Sequence, residues 1–376
     1  MSGGSLPPSL RDLVRAVRDP RDLESFTLAQ WDLLLPLARR SDLIARLACV
    51  AEAAGVIDRL PEPVQRHLAG ALLLYRRQQV NAAFEIEELA AVCSERGLRL
   101  TLLKGAAYFA TNLGFAQGRA FGDIDILIDK RQLGELESLL MREGWINAID
   151  DAYDQRYYRE WMHELPPMIH IQRGTVLDVH HRILPETARA RPDPQRMLAA
   201  ALECASFPGV YVLAPHDMLL HSATHLFYEG ELTHGFRDLF DIDAMLRTVG
   251  PEQSWRELLE RAQALQLTRP LYFACHFTAE LLDTPIPPFV SARLAQWHPD
   301  GSAAQLLMRA YRLALRPMHP ALNEPLTGLA RWLIYARAHW LRMPPMLLVR
   351  HLGRKAIRGW LGIQGRPVDR PAPKQH

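Results

Sequence analysis

Two aspartates with a spacing suited to metal chemistry occur directly after Phe121-Gly122. In Asp123-Ile124-Asp125 the carboxylates are two residues apart, and alternate residues of a β-strand face the same side. We therefore expect both carboxylates on one face, roughly 7 Å apart along the strand. Two such groups repel each other unless a cation lies between them, and oxygen ligands suit Mg²⁺ or Mn²⁺. The competing interpretation is a pair of turn carboxylates that face water.

A third aspartate, Asp178, lies in a second apolar segment that also has the character of a strand. On a strand next to the first, its carboxylate would complete a set that can hold two divalent ions for phosphoryl displacement. Strand alternation puts His180 on the face of Asp178, where it can orient an acceptor or a water molecule. A histidine that satisfies its neighbours at a strand end explains His180 equally well.

A glycine between an apolar strand and a helix supplies a candidate phosphate site. Gly105 lets a phosphate approach the backbone, and the N–H groups of the following helix favour an anion. Lys104 adds a positive point charge, and it is one of only four lysines in a chain with 40 arginines. The alternative is a lysine whose stem lies along the end of a strand. Arg119, four residues before Asp123, is a further candidate for phosphate.

A second pair of aspartates and a pair of histidines occur further along the chain. Asp241 and Asp243 repeat the spacing of the first pair within a helical pattern. Residues two apart on a helix do not share a face, so we do not expect a second catalytic pair there. His221 and His225 are four apart on a predicted helix and share a face, but the glutamate of a zinc-binding HExxH motif is absent.

Helices and short strands must position these residues. The apolar period predicts helices from Leu6 to about Arg96, with Thr27 and Ser41 as N-caps. The pattern then predicts an α+β core with a small mixed sheet. Its strands are expected at 98–103, 123–128, 167–172 and 175–181, and its helices at 106–112 and 131–143. Helical segments are expected again near 192–205, 215–228, 236–249 and 254–265. We expect four regions: N-terminal helical residues 1–96, the α+β core 97–185, helical residues 186–300 that complete the cleft, and a basic helical segment 301–376 with a disordered end.

The charged residues divide the chain into an acidic body, residues 1–300, and a basic end, residues 301–376. Apolar residues make up 48% and charged residues 23%, which fits a globular protein and excludes extensive disorder. The net charge of +2 conceals 13 Lys and Arg against two Asp and Glu in residues 301–376. There Arg350, Arg354 and Arg358 recur near Trp360, and an apolar stripe runs through Trp332, Leu333, Ala336 and Trp340. Such a helix can pack on its own acidic body, lie on an anionic membrane surface or contact RNA phosphate.

The expected compartment is the cytoplasm of a bacterium with arginine-rich proteins. No apolar signal segment and no run of 18 apolar residues is visible in the sequence. The four cysteines form no C-x-x-C pair, which argues against a zinc site built from cysteine. If the basic segment contacts lipid, the protein would be peripheral at the inner membrane surface.

Taken together, these motifs resemble the nucleotidyltransferase core of the DNA polymerase beta superfamily. More narrowly, they are similar to the largely uncharacterised bacterial nucleotidyltransferase family proteins, through Leu103-Lys104-Gly105-Ala106, Arg119, Gly122-Asp123-Ile124-Asp125 and Leu177-Asp178-Val179-His180. The resemblance implies transfer of a nucleoside monophosphate from an NTP such as ATP to a hydroxyl acceptor, with release of pyrophosphate. The acceptor stays open between a protein, a tRNA and a small molecule.

The resemblance also implies residue roles. Asp123 and Asp125 would bind the metals and the NTP phosphates, and Asp178 would complete the second metal site and help to deprotonate the acceptor. Phosphate contacts fall to Lys104, Gly105, Arg119 and Gly122. Many members of the superfamily have serine where Ala106 stands, so Lys104 is expected to replace that contact.

Three further residues and one alternative function complete the expectations. The resemblance suggests that His225, Arg237 and Asp241 line the nucleotide or acceptor pocket, with a salt link between helices as the competing interpretation. The alternative to an enzyme is a catalytically inactive nucleotidyltransferase-like binding or scaffold protein.

Overall fold

The computed structural model of the chain describes residues 6–149, 151–228, 230, 232–298 and 301–342. These residues form an α+β structure with one mixed sheet of seven strands, which confirms the predicted fold class. They divide into two compact units. The helical unit takes the described residues within 1–81, 112–120 and 219–337, and the sheet unit takes those within 82–111, 121–218 and 338–376. The four-region division expected from the sequence stays a prediction.

The helices of the described residues follow the apolar periodicity over most of the chain. In chain order they are α1 Pro8–Arg18, α2 Leu28–Arg40, α3 Ile44–Ala53, α4 Glu62–Ser94, α5 Lys104–Ala110, α6 Leu133–Arg142, α7 Ala152–Trp161, α8 Pro194–Ala200, α9 Pro215–Tyr228, α10 Gly235–Arg247, α11 Glu252–Ala264, α12 Thr268–Leu282, α13 Pro288–Ala295, α14 Ser302–Ala314 and α15 Thr327–Arg342. Short 3₁₀ helices occur at Pro20–Ser25, Ile57–Arg59, Gly114–Ala116, Lys130–Gln132 and Pro320–Leu322.

The sheet lies entirely in the sheet unit. Its strands are β1 Leu100–Leu103, β2 Asp123–Leu127, β3 Trp145–Asn147, β4 Met168–His170, β5 Val176–His180, β6 Leu202–Glu203 and β7 Val210–Val212. Their spatial order is β3-β4-β5-β2-β1-β7-β6. The pairs β2–β5 and β1–β7 are parallel and the other neighbours are antiparallel. The three strands that carry the candidate residues, β1, β2 and β5, are therefore adjacent at the centre.

One of the two predicted N-caps is confirmed and the other is wrong. Thr27 Oγ1 accepts from the N–H of Gln30, and Gln30 Oε1 accepts from the N–H of Thr27, which forms a capping box for α2. Ser41 instead ends α2, and its hydroxyl donates to the carbonyl of Leu37. The helix α3 begins only at Ile44, after Asp42 takes a positive φ of 53° that turns the chain.

Four elements of the sheet unit were not predicted: β3, α7, β6 and β7. The predicted helix at 192–205 is correct only for α8, because the chain turns into the hairpin β6–β7 after Ala201. Arg99 holds this turn in place, since its guanidinium donates to the carbonyls of Leu198 and Ala201. The hairpin adds β7 to the edge of β1 and completes the sheet on that side.

Apolar alternation explains the core of the sheet unit. Ile124 and Ile126 are buried on β2, and they lie opposite the buried Leu177 and Val179 of β5. Burial of such branched side chains stabilises a fold by about 1.5–3 kcal/mol each. The apolar face of β2 thereby anchors the strand and presents Asp123 and Asp125 on its other face.

The described part of the basic segment up to Arg337 belongs to the helical unit, and residues 338–342 belong to the sheet unit. Arg337 donates to the carbonyl of Phe227 and to the hydroxyl of Tyr311, and Arg331 donates to the carbonyl of Arg316. The buried face of α15 contains Ala330, Ile334 and Ala338, whereas Trp332 and Trp340 are exposed. The predicted stripe through both tryptophans is therefore not the packing face, because the helix buries its smaller apolar residues. Arg350, Arg354, Arg358, Trp360 and the predicted disordered end lie outside the described residues.

Among the described residues, no helix combines the length and the apolar character that crossing a bilayer requires.

Candidate functional site

Two of the three predicted aspartates lie opposite each other on the parallel strands β2 and β5. Asp125 pairs in register with Asp178, so their side chains leave the same face of the sheet from adjacent strands. Asp125 is buried, Asp178 is half-buried, and Asp123 is exposed at the first position of β2. The structure thus combines one buried and two more accessible carboxylates on one face, as strand alternation predicts.

Lys104 directs its ammonium group at Asp125. Its Nζ lies 2.7 Å from Oδ1 of Asp125, and its side chain is 20% exposed. Lys104 has a φ of +47° at the junction between β1 and α5. This left-handed conformation costs a non-glycine residue roughly 1–2 kcal/mol. An ion pair with a buried carboxylate can offset that cost.

His180 bridges Asp125 to a carboxylate that the sequence analysis did not consider. Its Nε2 lies 3.0 Å from Oδ1 of Asp125, and its Nδ1 lies 3.2 Å from Oε2 of Glu164. Burial raises the pKa of the Asp125 carboxyl, but the Lys104 ammonium and His180 together lower it well below its usual range. Asp125 is therefore an anion throughout the neutral and mildly acidic pH range.

The glycine at the start of α5 has a packing role in the structure. A Cβ at Gly105 would lie 2.7 Å from Cβ of Phe121 and 2.8 Å from its Cγ. Any larger residue would therefore force this aromatic ring away. Gly122 lies in open space, with nothing within 4 Å of an added Cβ. The phosphate roles of Gly105 and Gly122 stay predictions, while the glycine requirement at 105 has a structural cause.

Arg119 forms buried ion pairs within the helical unit. Its Nε donates to Oδ2 of Asp241 at 2.5 Å, and the guanidinium of Arg46 donates to Oδ1 of the same carboxylate at 2.7 Å. All three side chains are almost fully buried. The Asp241 carboxylate on α10 thus binds two arginines, Arg46 from α3 and Arg119 from the loop before β2. These contacts agree with the salt link between helices, and the phosphate role of Arg119 and the pocket role of Asp241 stay predictions.

The remaining pocket candidates, Arg237 and His225, both lie near the carboxylate of Asp238. Arg237 donates to Oδ1 of Asp238 at 2.9 Å, and its other guanidinium nitrogen is 3.5 Å from Asp42. Burial raises the pKa of Asp238, but Arg237, Arg119 and His225 outweigh it and lower the pKa below its usual value. The His225 ring lies beside that of His221, with centroids 6.5 Å apart, as the four-residue spacing predicts. These contacts tie Arg237 and His225 to a charged network within the helical unit.

Asp241 and Asp243 contact different groups, and the expectation that they do not form a second catalytic pair stays a prediction. The Asp243 carboxylate accepts hydrogen bonds from Arg18, Arg247 and Thr284. Asp241, two residues earlier, contacts a different set of arginines. The two carboxylates therefore face different neighbours, as helical geometry requires.

Sequence reasoning missed His163 and Glu164. Glu164 forms an isolated antiparallel bridge with His180, across 16 residues that include the β4–β5 hairpin. Ligand atoms of His163, Glu164 and His180 lie within 4.8 Å of one another. The adjacent His163-Glu164 pair was visible in the sequence, but only the bridge brings it beside His180, which contacts Asp125.

The carboxylates on the face of β2 and β5 fit a divalent cation. Asp125 and Asp178 offer oxygen donors from directly opposed positions, and hard cations such as Mg²⁺ prefer oxygen. Asp125 is available as an anionic donor, because Lys104 Nζ and His180 Nε2 lower the pKa of its carboxyl. The exposed Asp123 can bind a cation that arrives together with its substrate.

Comparison with protein families identifies the chain. Residues 27–283 match the family described as "Uncharacterised nucleotidyltransferase". No curated protein and no solved structure matches the chain. The match spans more than half of the sequence and includes every candidate residue of both units, so the chain belongs to this family.

Proposed function

We propose that this member of the nucleotidyltransferase family is a metal-dependent enzyme that transfers a nucleoside monophosphate from an NTP to a hydroxyl acceptor. The family supports nucleotidyl transfer in general. The observation that carries the specific proposal is the in-register pair Asp125 and Asp178, with the Lys104 ammonium 2.7 Å from Asp125. Opposed carboxylates next to a phosphate-binding cation are what a phosphoryl displacement needs.

The reaction forms one P–O bond and breaks another. The acceptor oxygen attacks the α-phosphorus, the bond from that phosphorus to the bridging oxygen breaks, and pyrophosphate leaves with the electron pair. The acceptor proton passes to a carboxylate, for which we propose Asp178, and from there to solvent. Mg²⁺ or Mn²⁺ held by Asp123, Asp125 and Asp178 would stabilise the negative charge that develops on the phosphoryl oxygens.

Lys104 and His180 support this chemistry in different ways. Lys104 is partly exposed and already turned toward the carboxylate face, so its ammonium can meet an incoming phosphate group. His180 is buried, and its contact with Asp125 fixes the orientation of that carboxylate. We propose a phosphate-binding role for Lys104 and a positioning role for His180.

Calorimetric titration with each NTP in the presence of Mg²⁺ or Mn²⁺ tests the proposal. We expect the wild type to bind one NTP, and we expect Asp123→Asn and Asp178→Asn to weaken binding at least tenfold. Asp193→Asn is the matched control, because Asp193 is exposed and caps α8, a role that asparagine fills as well. Absence of NTP binding by the wild type, or equal binding by all four proteins, contradicts the proposal.

The acceptor requires a second measurement. Pyrophosphate release is followed after adding candidate hydroxyl acceptors of the three expected classes, which are protein, tRNA and small molecule. Release with one class identifies the acceptor. NTP binding without release for any class would favour the inactive binding or scaffold protein.

The cytoplasmic location, with contact between the basic segment and RNA or an anionic membrane, is part of the same proposal. The exposed Trp332 and Trp340 side chains support a surface contact of α15. Sedimentation with vesicles of anionic lipid, compared with zwitterionic vesicles and with RNA, tests it. Equal sedimentation with both vesicle types and no retention on RNA would contradict such a contact.

A further inference from the structure

A second group of side chains with metal-ligand atoms includes His180, which contacts Asp125, and does not use Asp123 or Asp178. His163, Glu164 and His180 each offer one ligand atom, and these atoms lie within 4.8 Å of one another. Oε2 of Glu164 is 3.2 Å from Nδ1 of His180 and 3.8 Å from Nε2 of His163. Donor atoms around a tetrahedral zinc ion stand about 3.3 Å apart, because Zn–N bonds measure about 2.0–2.1 Å. The two measured separations are already close to that value.

The backbone fixes this group. Glu164 and His180 are directly opposed in an antiparallel bridge. The N–H of Leu165 donates to the carbonyl of Val179, and the N–H of His181 donates to the carbonyl of His163, each at 2.9 Å. These bonds flank the Glu164–His180 pair, and side chains of such a pair are at their closest in antiparallel geometry. The ligand separation therefore follows from strand pairing and not from flexible side chains alone.

Asp125 orients His180 as metal-binding histidines are usually oriented. Nε2 of His180 lies 3.0 Å from Oδ1 of Asp125. If this nitrogen donates its hydrogen to the carboxylate, the lone pair of His180 is on Nδ1, which faces Glu164. Histidines that bind metals commonly donate the second ring N–H to a carboxylate in this way.

The charges around the group favour a cation. Asp125 and Glu164 are two carboxylates on either side of one imidazole, and Lys104 supplies one ammonium to the first of them. The His163 ring lies beside that of His180, with centroids 5.3 Å apart and the ring planes tilted by 34°. The two carboxylates outnumber the one ammonium, and a nearby cation would offset the remaining negative charge.

We propose that His163, Glu164 and His180 bind a divalent transition-metal ion of the zinc class, with Asp125 as the residue that positions His180. Two imidazoles and one carboxylate suit Zn²⁺ and related ions, whereas Mg²⁺ prefers oxygen donors alone. Three protein ligands leave room in the coordination sphere for water or a substrate oxygen. This site goes beyond nucleotidyl transfer and does not depend on it.

Metal binding by the untagged full chain tests the site. The protein is treated with a chelator, dialysed and titrated with Zn²⁺ by calorimetry and with Co²⁺ by visible absorption. We expect one equivalent of Zn²⁺ to bind, and we expect the d–d absorption of Co²⁺ held by nitrogen and oxygen ligands. His163→Ala and Glu164→Gln should each weaken Zn²⁺ binding at least tenfold, while Asp123→Asn leaves it unchanged.

The variants separate the new site from the proposed function. Glu164→Gln keeps the size of the side chain, so it remains informative if His163→Ala fails to fold by circular dichroism. Loss of Zn²⁺ binding in Glu164→Gln with unchanged NTP binding supports a separate metal site. Absence of Zn²⁺ and Co²⁺ binding by the wild type, or equal affinity in Glu164→Gln, overturns the proposal. A failure of nucleotidyl transfer would appear instead as absent NTP binding with normal Zn²⁺ affinity.

Discussion

Nζ of Lys104 lies 2.7 Å from Oδ1 of Asp125, although Lys104 has a left-handed backbone with φ +47°. A non-glycine residue keeps this strained conformation only where the surrounding structure holds it there, and such residues concentrate at functional sites. The relationship links the turn after β1 to the carboxylate at the centre of β2. The ion pair with Asp125 is therefore a physical reason for a lysine at position 104, in addition to the rarity of lysine in this sequence.

Replacing Lys104 removes the cation that faces a buried carboxylate. We expect Lys104→Met to lower the free energy of unfolding by about 2–3 kcal/mol, because an unpaired buried charge is costly. Chemical denaturation measures this change. Lys130→Met is the matched control, since the Lys130–Glu186 pair is largely exposed and should contribute less than about 1 kcal/mol. Equal effects of the two substitutions would show that the Lys104–Asp125 pair is not buried as described.

Gly105 should tolerate no side chain. We expect Gly105→Ala to lower the free energy of unfolding by about 1–3 kcal/mol, because its Cβ would overlap Phe121. Gly122→Ala is the control, since an added Cβ there meets nothing within 4 Å. Thermal and chemical denaturation of both variants measure the difference. A stable Gly105→Ala protein would contradict the packing of Phe121 over α5.

Asp241 should be a main determinant of stability in the helical unit. Asp241→Asn leaves the buried Arg46 and Arg119 without their shared carboxylate, and we expect a loss of about 3–5 kcal/mol. Asp58→Asn, at an exposed position, should change the free energy of unfolding by less than about 0.5 kcal/mol. If Asp241→Asn is equally mild but abolishes NTP binding, the pocket role is correct and the structural role is wrong.

His170 should make stability depend on pH. Burial and Arg173 lower its pKa below the usual value, and its Nδ1 accepts hydrogen bonds from the backbone N–H groups of Gln172 and Arg173. Protonation of Nδ1 would break both bonds. Because the unfolded chain binds this proton more readily, stability falls as pH decreases through about 6.5 toward the lower folded pKa.

Denaturation at pH 7.5 and pH 5.5 measures this dependence. Wild type should lose more stability between the two pH values than His170→Asn does. His67→Asn is the control, because His67 is exposed and its replacement should leave the dependence of the wild type unchanged. A pH dependence that is unaltered in His170→Asn would assign it to another group.

The sequence predicted the parts of the structure that depend on local pattern. Alternation placed Asp123 and Asp125 on one face and the isoleucines on the other, and the buried Ile124 and Ile126 confirm that arrangement. The strands β1, β2 and β5 were predicted because each is a short apolar run beside a glycine or a turn. The N-cap at Thr27, which the structure also confirms, was predicted from local sequence in the same way.

Contacts between residues that are distant along the chain could not be predicted from the sequence pattern. Strand β7 has three residues, and its pairing with β1 joins positions more than 100 residues apart. The proximity of Glu164 to His180, which contacts Asp125, depends on the bridge between Glu164 and His180. Arg46 looked like an ordinary helix residue, and its burial against Asp241 follows from tertiary packing.

Transfer of label from an NTP is the most direct test of the central claim. Wild type and Asp125→Asn are incubated with Mg²⁺, an acceptor that supports pyrophosphate release, and NTP labelled on either the α- or the γ-phosphate. We expect wild type to transfer the α label to the acceptor and to release the γ label in pyrophosphate, and we expect Asp125→Asn to slow transfer at least a hundredfold. Transfer of the γ label, or unchanged transfer by Asp125→Asn, would contradict a nucleotidyltransferase centred on Asp125.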